Sequence, residues 1–222
     1  MSIATPKNWP WGGLKPLHYR LLSIDPPWAF ETWSEQGRNR SASYDTMTLP
    51  QLAQMPVMDL ARPDALVALW VIDSMLPEGL ALLDAWGFRF VTVCFTWVKT
   101  FDLFGRQSAR IALLHRAIED RDWNQIGEAL APMGLGYWTR ANPEMCLLAS
   151  IGAPRREEKN VRQPLFAPLR EHSRKPDEAY RRLERLTPGP RAELFARERR
   201  PGWDAWGNEV DKFTIEESGY GA

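Results

Sequence analysis

The chain has 222 residues, 44% of them apolar, with 28 Lys+Arg against 28 Asp+Glu and a formal net charge of zero. That length fits one domain of generous size, or a domain with an insertion, and the apolar share is enough for a real core. Zero net charge argues against binding nucleic acid by bulk electrostatics alone, and the two cysteines form no C-x-x-C or Cys/His cluster that would support a metal site.

Residues 1–15 are rich in Pro, Trp and Gly and read as an irregular lead-in. They lack the pattern of a signal peptide, and no apolar run in the chain is long enough to span a bilayer, so the expected setting is cytoplasmic and non-membrane. Leu21–Ile24 reads as a buried strand. It runs into Asp25-Pro26-Pro27-Trp28, the most informative feature of the chain. Two prolines fix φ and hold the preceding residues extended. Backbone carbonyls there are expected to be free for a ligand, Asp25 adds an acceptor-only carboxylate, and Trp28 adds a flat face. The group suits a planar ligand with an exocyclic NH2, such as adenine.

Residues 31–44 are polar and read as a long loop. Leu49–Leu60 predicts a short helix capped by Thr48. Ala65–Ile72 is an uninterrupted apolar run and predicts a central strand. Leu76–Trp86 has helical spacing with Gly87 as its stop. Phe88–Val98 and Met145–Ile151 predict strands, with Cys94 and Cys146 inside them as buried small hydrophobes. Ser173–Leu186 predicts a helix with Pro176 near its first turn, and Arg191–Phe195 a last strand. Strands alternating with helices imply an α/β three-layer sandwich with a largely parallel sheet, in which ligands bind at the carboxyl ends of strands. Residues 106–133 interrupt that rhythm with two helical stretches, Arg110–Ile118 and Trp123–Leu130.

Charge and tryptophan are unevenly placed. From Pro154 to Arg200 there are fourteen Lys/Arg against eight Asp/Glu, a balance of +6 that could face phosphates or simply be a solvated helix face. Trp9, Trp11, Trp28, Trp33, Trp203 and Trp206 sit beside Gly, Pro or polar clusters, as site-lining residues do, with packing as the plain alternative.

Several segments occur in a fixed order: Asp25-Pro26-Pro27-Trp28, Tyr44-Asp45-Thr46-Met47, Trp97-Val98-Lys99, Gly136-Tyr137-Trp138-Thr139-Arg140 and His172-Ser173-Arg174-Lys175-Pro176-Asp177-Glu178. Glu193-Leu194-Phe195-Ala196-Arg197 and Gly202-Trp203-Asp204-Ala205-Trp206-Gly207-Asn208-Glu209 follow. The set resembles the MT-A70 family of S-adenosylmethionine-dependent adenine N6-methyltransferases, over about residues 21–209 apart from the insertion. The resemblance implies a single Rossmann-like methyltransferase domain over 1–222 in permuted order, the catalytic motif early and the cofactor segment late, with a helical insertion at 106–133. It implies methylation of adenine in nucleic acid, DNA ahead of RNA, with a catalytically silent nucleic-acid-binding partner subunit as the alternative.

The resemblance also distributes roles. Asp25, Pro26, Pro27 and Trp28 form the catalytic group, with Asp25 and the Pro26 carbonyl accepting from the adenine NH2 and Trp28 stacking on the base. S-adenosylmethionine falls to Asp25, Lys175, Phe195, Arg197, Asn208 and Glu209, with Lys175 facing its carboxylate and Arg197 and Asn208 near its ribose. No metal is needed for the transfer. Arg38, Arg40 and Tyr44 in the first loop, and Arg155, Arg156, Lys159 and Arg162 in the basic third, are the candidate nucleic-acid contacts. The insertion suits target recognition, a homodimer contact or a lid.

Overall fold

The computed structural model describes residues 5–29, 45–105, 108–171 and 174–213. Trp33, Arg38, Arg40, Tyr44 and His172 lie outside the described residues. Among the described residues seven strands form one sheet: β1 (Tyr19–Ile24), β2 (Ala61–Val71), β3 (Arg89–Thr100), β4 (Glu144–Ile151), β5 (Pro164–Pro168), β6 (Arg191–Leu194) and β7 (Asp204–Trp206). Their order across the sheet is β5-β3-β4-β2-β1-β6-β7. β1–β2, β1–β6, β6–β7 and β3–β5 pair in parallel, while β4 runs antiparallel to both β2 and β3. Every strand but β4 therefore ends at the same edge of the sheet.

The alternation of side chains along the central strands builds two cores. Leu22, Ile24, Val67 and Leu69 point to one face, where Leu52 of α1 (Leu49–Ala53) and Leu82 and Leu83 of α2 (Leu76–Ala85) cover them. Leu21, Leu66, Ala68 and Trp70 point to the other, under Ala179, Tyr180 and Leu183 of α5 (Asp177–Leu186). Helices thus lie on both faces of a mixed sheet. Each fully buried aliphatic or aromatic side chain contributes roughly 1.5–3 kcal/mol relative to exposure.

Four expectations need correction. Leu49–Leu60 is not one helix: α1 stops at Ala53 and a 3-10 turn takes Val57–Leu60. Pro56 explains the break, because it has no N–H and holds Met55 out of the helical region. The last helix starts at Asp177 rather than Ser173, since Pro176 occupies the N-cap position and keeps Lys175 extended. β2 begins earlier, at Ala61; its register with β1 jumps from Tyr19–Ala61 to Leu21–Leu66 past Pro63, which has no N–H for the ladder. β5 and β7 have no strand signal of their own, β5 being bracketed by prolines at the sheet edge and β7 only three residues long. Gly87 does end α2, with φ +79° and its N–H on the Asp84 carbonyl at 2.8 Å.

Residues 106–133, expected as a helical insertion, hold two helices, α3 (Ser108–Glu119) and α4 (Trp123–Leu130), with Asp122 capping α4 by accepting from the Asn124 and Gln125 N–H groups at 2.9 and 3.1 Å. Among the described residues of the pair only Ala117 and Ala129 are buried. It connects the end of β3 to the start of β4, so it stands at the edge where β1 and β6 end.

Candidate active site

From β1 the chain passes to β2 on one side, whereas β6 leads to β7 on the other. The carboxyl ends of β1 and β6 therefore flank the point where the winding of the sheet reverses, the place where α/β sheets open a crevice. Asp25 follows β1 directly, and Phe195 and Arg197 follow β6. A cavity opens here, lined by Asp25, Arg174, Lys175, Tyr180, Glu193, Phe195, Arg197, Glu198 and Phe213.

The Asp25–Trp28 motif is stiffer and more closed than its sequence implies. The Pro26 carbonyl accepts the Trp28 N–H at 2.8 Å, and the Pro27 carbonyl accepts the Met47 N–H at 2.8 Å. These carbonyls are thus already engaged, leaving the Pro26 oxygen one further lone pair. Trp28 presents no open stacking face. It is 6% exposed, packs into the α1–α2 core, and donates Nε1–H to the Trp70 carbonyl at 3.2 Å. Its bulk anchors the motif to β2, because burying so large a ring outweighs leaving it at the mouth.

Asp25 faces a buried lysine. Lys175 Nζ lies 2.8 Å from Asp25 Oδ2 and 3.1 Å from Glu144 Oε2, and Glu144 Oε1 in turn lies 2.7 Å from Lys99 Nζ. Lys175 also sits over the Trp70 ring, 5.3 Å from its centroid. Two cations and two anions alternate along this row, which is how a protein tolerates charge away from water. Burial pushes the Asp25 carboxyl up from its ordinary value, and Lys175 pulls against that rise. Burial also works against ionised Glu144, but Lys175 and Lys99 outweigh it and hold that carboxyl down at about 2. For Lys175 the burial penalty is overcome by Asp25 and Glu144, which raise its affinity for the proton.

The cavity wall on the β6 side is a second charged network. The Tyr180 O–H donates to Glu193 Oε1 at 2.5 Å, and burial raises the Glu193 carboxyl from 4.5 to about 7. Arg174 reaches Glu198 at 2.7 Å, and Arg200 bridges Glu198 and Asp177, the latter at 2.7 Å. Arg174 Nε is buried and has no hydrogen-bond partner among the described residues. Phe195 adopts φ +61°, a left-handed backbone that a phenylalanine rarely takes, at the turn where β6 meets the cavity.

Other expected site residues lie elsewhere. Asn208 is exposed and outside the cavity lining. Glu209 is also outside it but pairs with Arg197 at 3.4 Å and with Lys212 at 2.6 Å. Trp11, Trp28 and Trp203 are buried in the cores, and Trp9 and Trp206 pack against them, so these tryptophans take the packing role.

The basic segment does not come to the mouth. Glu157 and Glu158 donate N–H bonds to the Leu186 and Arg185 carbonyls, at the far end of α5 from Lys175. Ten residues of α-helix separate the two ends by about 15 Å. Arg155, Arg156 and Lys159 are exposed beside that far end, and Arg162 is exposed ahead of β5.

Sequence reasoning assigned no role to Lys99, Glu144, Arg174, Tyr180, Glu193 or Glu198. One signal was available for Glu193: an acid between Ala192 and Leu194 in a buried strand is rarely incidental. Glu144 carried no such mark, since its partners lie on β3 and ahead of α5.

Among the described residues there is no cluster of metal-ligating groups and no helix long and apolar enough to cross a membrane. The profile of the MT-A70 family matches residues 19–112 and 114–209. The N(6)-adenosine-methyltransferase MT-A70-like protein of Arabidopsis thaliana is 28% identical over 196 residues, 87% of this chain and 24% of its own length. The human N(6)-adenosine-methyltransferase catalytic subunit METTL3 is 27% identical over 197 residues, again 87% of this chain and 28% of its own. The Type II methyltransferase M.MunI of Mycoplasma sp is 25% identical over 219 residues, covering 89% of this chain and 80% of its own length. The chain thus spans about a quarter of the plant and human relatives but most of the Mycoplasma one. Both halves of the crevice, the Asp25 strand and the Phe195 strand, fall within the matched residues, and the chain belongs to the MT-A70 family.

Proposed function

We propose that this chain transfers a methyl group from S-adenosylmethionine to the N6 amino group of adenine in nucleic acid, with DNA as the substrate. The observation that carries the reading is the Asp25–Lys175 pair, the lysine buried and the carboxylate half-buried, beside a cavity at the reversal point of the sheet. The accompanying fold reading is a Rossmann-like sandwich in permuted order, with the Asp25 strand first in the chain and the cofactor strand β6 late. Same-facing strand ends and helices on both faces support it. The match to a Type II methyltransferase of comparable length favours DNA.

The cavity residues fit S-adenosylmethionine. Arg174, whose Nε has no partner among the described residues, suits the cofactor's carboxylate. Glu193 and Glu198 offer acceptors for a ribose diol, and Phe195 and Phe213 offer apolar faces to an adenine. Arg197 lines the same cavity, and its charge favours the ionised form of Asp25. Bound there, the cofactor supplies an electrophilic sulfonium methyl.

An adenine amino group is a weak nucleophile because its lone pair is delocalised into the ring. Asp25 accepts a hydrogen bond from the NH2, and the second lone pair of the Pro26 carbonyl accepts the other. Both bonds favour the positive charge that builds on nitrogen during attack, and the proline-fixed backbone removes reorganisation. Burial raises the Asp25 carboxyl, and Lys175 opposes that rise in favour of the carboxylate. Positioning of the two reactants can contribute up to about 7–11 kcal/mol.

Labelled S-adenosylmethionine offered with unmethylated duplex DNA, single-stranded DNA and RNA, followed by nucleoside mass spectrometry, tests the reading. N6-methyladenine in DNA supports it, and product in RNA alone reassigns the substrate. No product in any of them, with cofactor still bound, overturns it in favour of a silent partner subunit.

A further inference from the structure

We propose that Tyr137 and Trp138 form a stacking platform for an unpaired nucleobase adjacent to the target adenine. The inference rests on the function proposed above and adds the strand state that the site engages. The two rings are 87% and 92% exposed, although they are adjacent and aromatic. They stand edge to face, with centroids 5.3 Å apart and planes at 90°, which leaves a flat face of each ring uncovered.

The loop that carries them is built rather than loose. The Ala141 N–H donates to the Leu135 carbonyl at 2.9 Å, and Arg140 Nε–H donates to the Gly134 carbonyl at 3.0 Å. Gly136 has φ +151°, and a Cβ there would run into the Thr139 carbonyl. The backbone therefore closes on itself at residues 134–141 and leaves the two rings no space inside. At its root, Asn142 accepts the Lys99 N–H at 2.9 Å and donates to the Lys99 and Pro132 carbonyls at 3.0 and 2.6 Å.

That root is tied to the catalytic group. Lys99 pairs with Glu144, Glu144 with Lys175, and Lys175 with Asp25. The loop enters β4 at the edge where β1 ends, so the platform and Asp25 share one end of the sheet. Arg140, exposed and two residues after Trp138 in the same loop, offers a cation to a strand's phosphate. Flat rings with an adjacent cation match the chemistry of an unstacked nucleotide. A base beside a flipped adenine has lost one stacking neighbour and is available to them.

The test is a cycle between ring and base. A fluorescent single-stranded DNA that the wild-type protein methylates is prepared intact and with each base flanking the adenine replaced in turn by an abasic spacer. Binding is read by anisotropy for the wild type and for the Tyr137→Ala/Trp138→Ala variant, whose melting temperature confirms folding. At one flanking position the wild type should lose roughly ten- to a hundredfold in affinity. The variant should show the same loss on intact DNA and no further loss with the spacer. Tyr137→Phe/Trp138→Phe, which keeps both rings, should bind within about twofold of wild type.

Equal binding by wild type and alanine variant overturns the platform, as do losses that multiply independently. Loss of self-association with unchanged DNA affinity overturns it too, assigning the rings to a second copy of the chain. A wild type that methylates adenine without this coupling leaves the proposed function standing and removes only the platform. A wild type that binds no nucleic acid removes both.

Discussion

Lys175 Nζ lies 2.8 Å from Asp25 Oδ2, joining the residue that follows the first strand to the residue just before the N-cap of the last α-helix. Pro176 holds Lys175 extended and Pro26 does the same for Asp25, so both ends of the pair are set by the backbone. The lysine's other carboxylate, Glu144, carries the connection to Lys99 and the loop before β4. Charge in this site is therefore balanced within the protein before any ligand arrives.

Asp25→Ala removes the acceptor for the adenine amino group. Methyl transfer should fall by at least about a hundredfold. The affinity for S-adenosylmethionine, measured by calorimetry, should stay within about threefold. Near-normal turnover would remove Asp25 from the chemistry.

Lys175→Met leaves Asp25 and Glu144 close together without the cation between them. Breaking a buried pair of this kind destabilises by about 3–5 kcal/mol, readable by urea denaturation. Asp25 already sits above the ordinary carboxylate value through burial, and losing the lysine raises it further. Activity that needs the carboxylate should thus lose its acid side at higher pH than in wild type. A pH–rate profile with an unmoved acid limb would refute that coupling.

Glu193 titrates from 4.5 when exposed to about 7 in the fold. Between those values the folded state holds a proton that the unfolded chain has released, so stability falls as pH rises through this window. The full change is on the order of 3 kcal/mol. Glu193→Gln keeps an acceptor for the Tyr180 hydroxyl but cannot ionise, and should flatten the dependence of melting temperature on pH between about 4.5 and 7. An unchanged slope would show that another group titrates there.

Replacing Arg155, Arg156, Lys159 and Arg162 together by Gln tests which end of the sheet meets phosphate. Three of these residues flank the far end of α5 from the crevice, so the slope of log affinity against log salt should change by less than about one. A fall of about three would assign them to the nucleic-acid surface.

Apolar runs along the chain were enough to locate β1, β2, β3, β4 and β6, though not the start of β2, because strands with a buried face or two carry their own hydrophobic signal. β5 and β7 carry none, since both are held at the edges of the sheet by a neighbour's hydrogen bonds. Trp28 shows the limit for side chains. Its place in the motif suggested an open ring, whereas the depth of the core and the Trp70 carbonyl drew it inward.

Local sequence alone gave away the family, the rigid Asp25-Pro26-Pro27-Trp28 turn, the two helices within residues 106–133 and the presence of Lys175, Phe195 and Arg197 in recognisable motifs. These are local properties: fixed φ at proline, hydrophobic period, and residues in a fixed order. Only the tertiary structure decided that Lys175 would meet Asp25 and Glu144, that Glu193 would be buried against Tyr180, and that the basic segment would lie away from the crevice. Each of those depends on which strand ends share an edge and which face a helix covers. Such relations arise from packing between elements distant in the chain, and no spacing along the sequence encodes them.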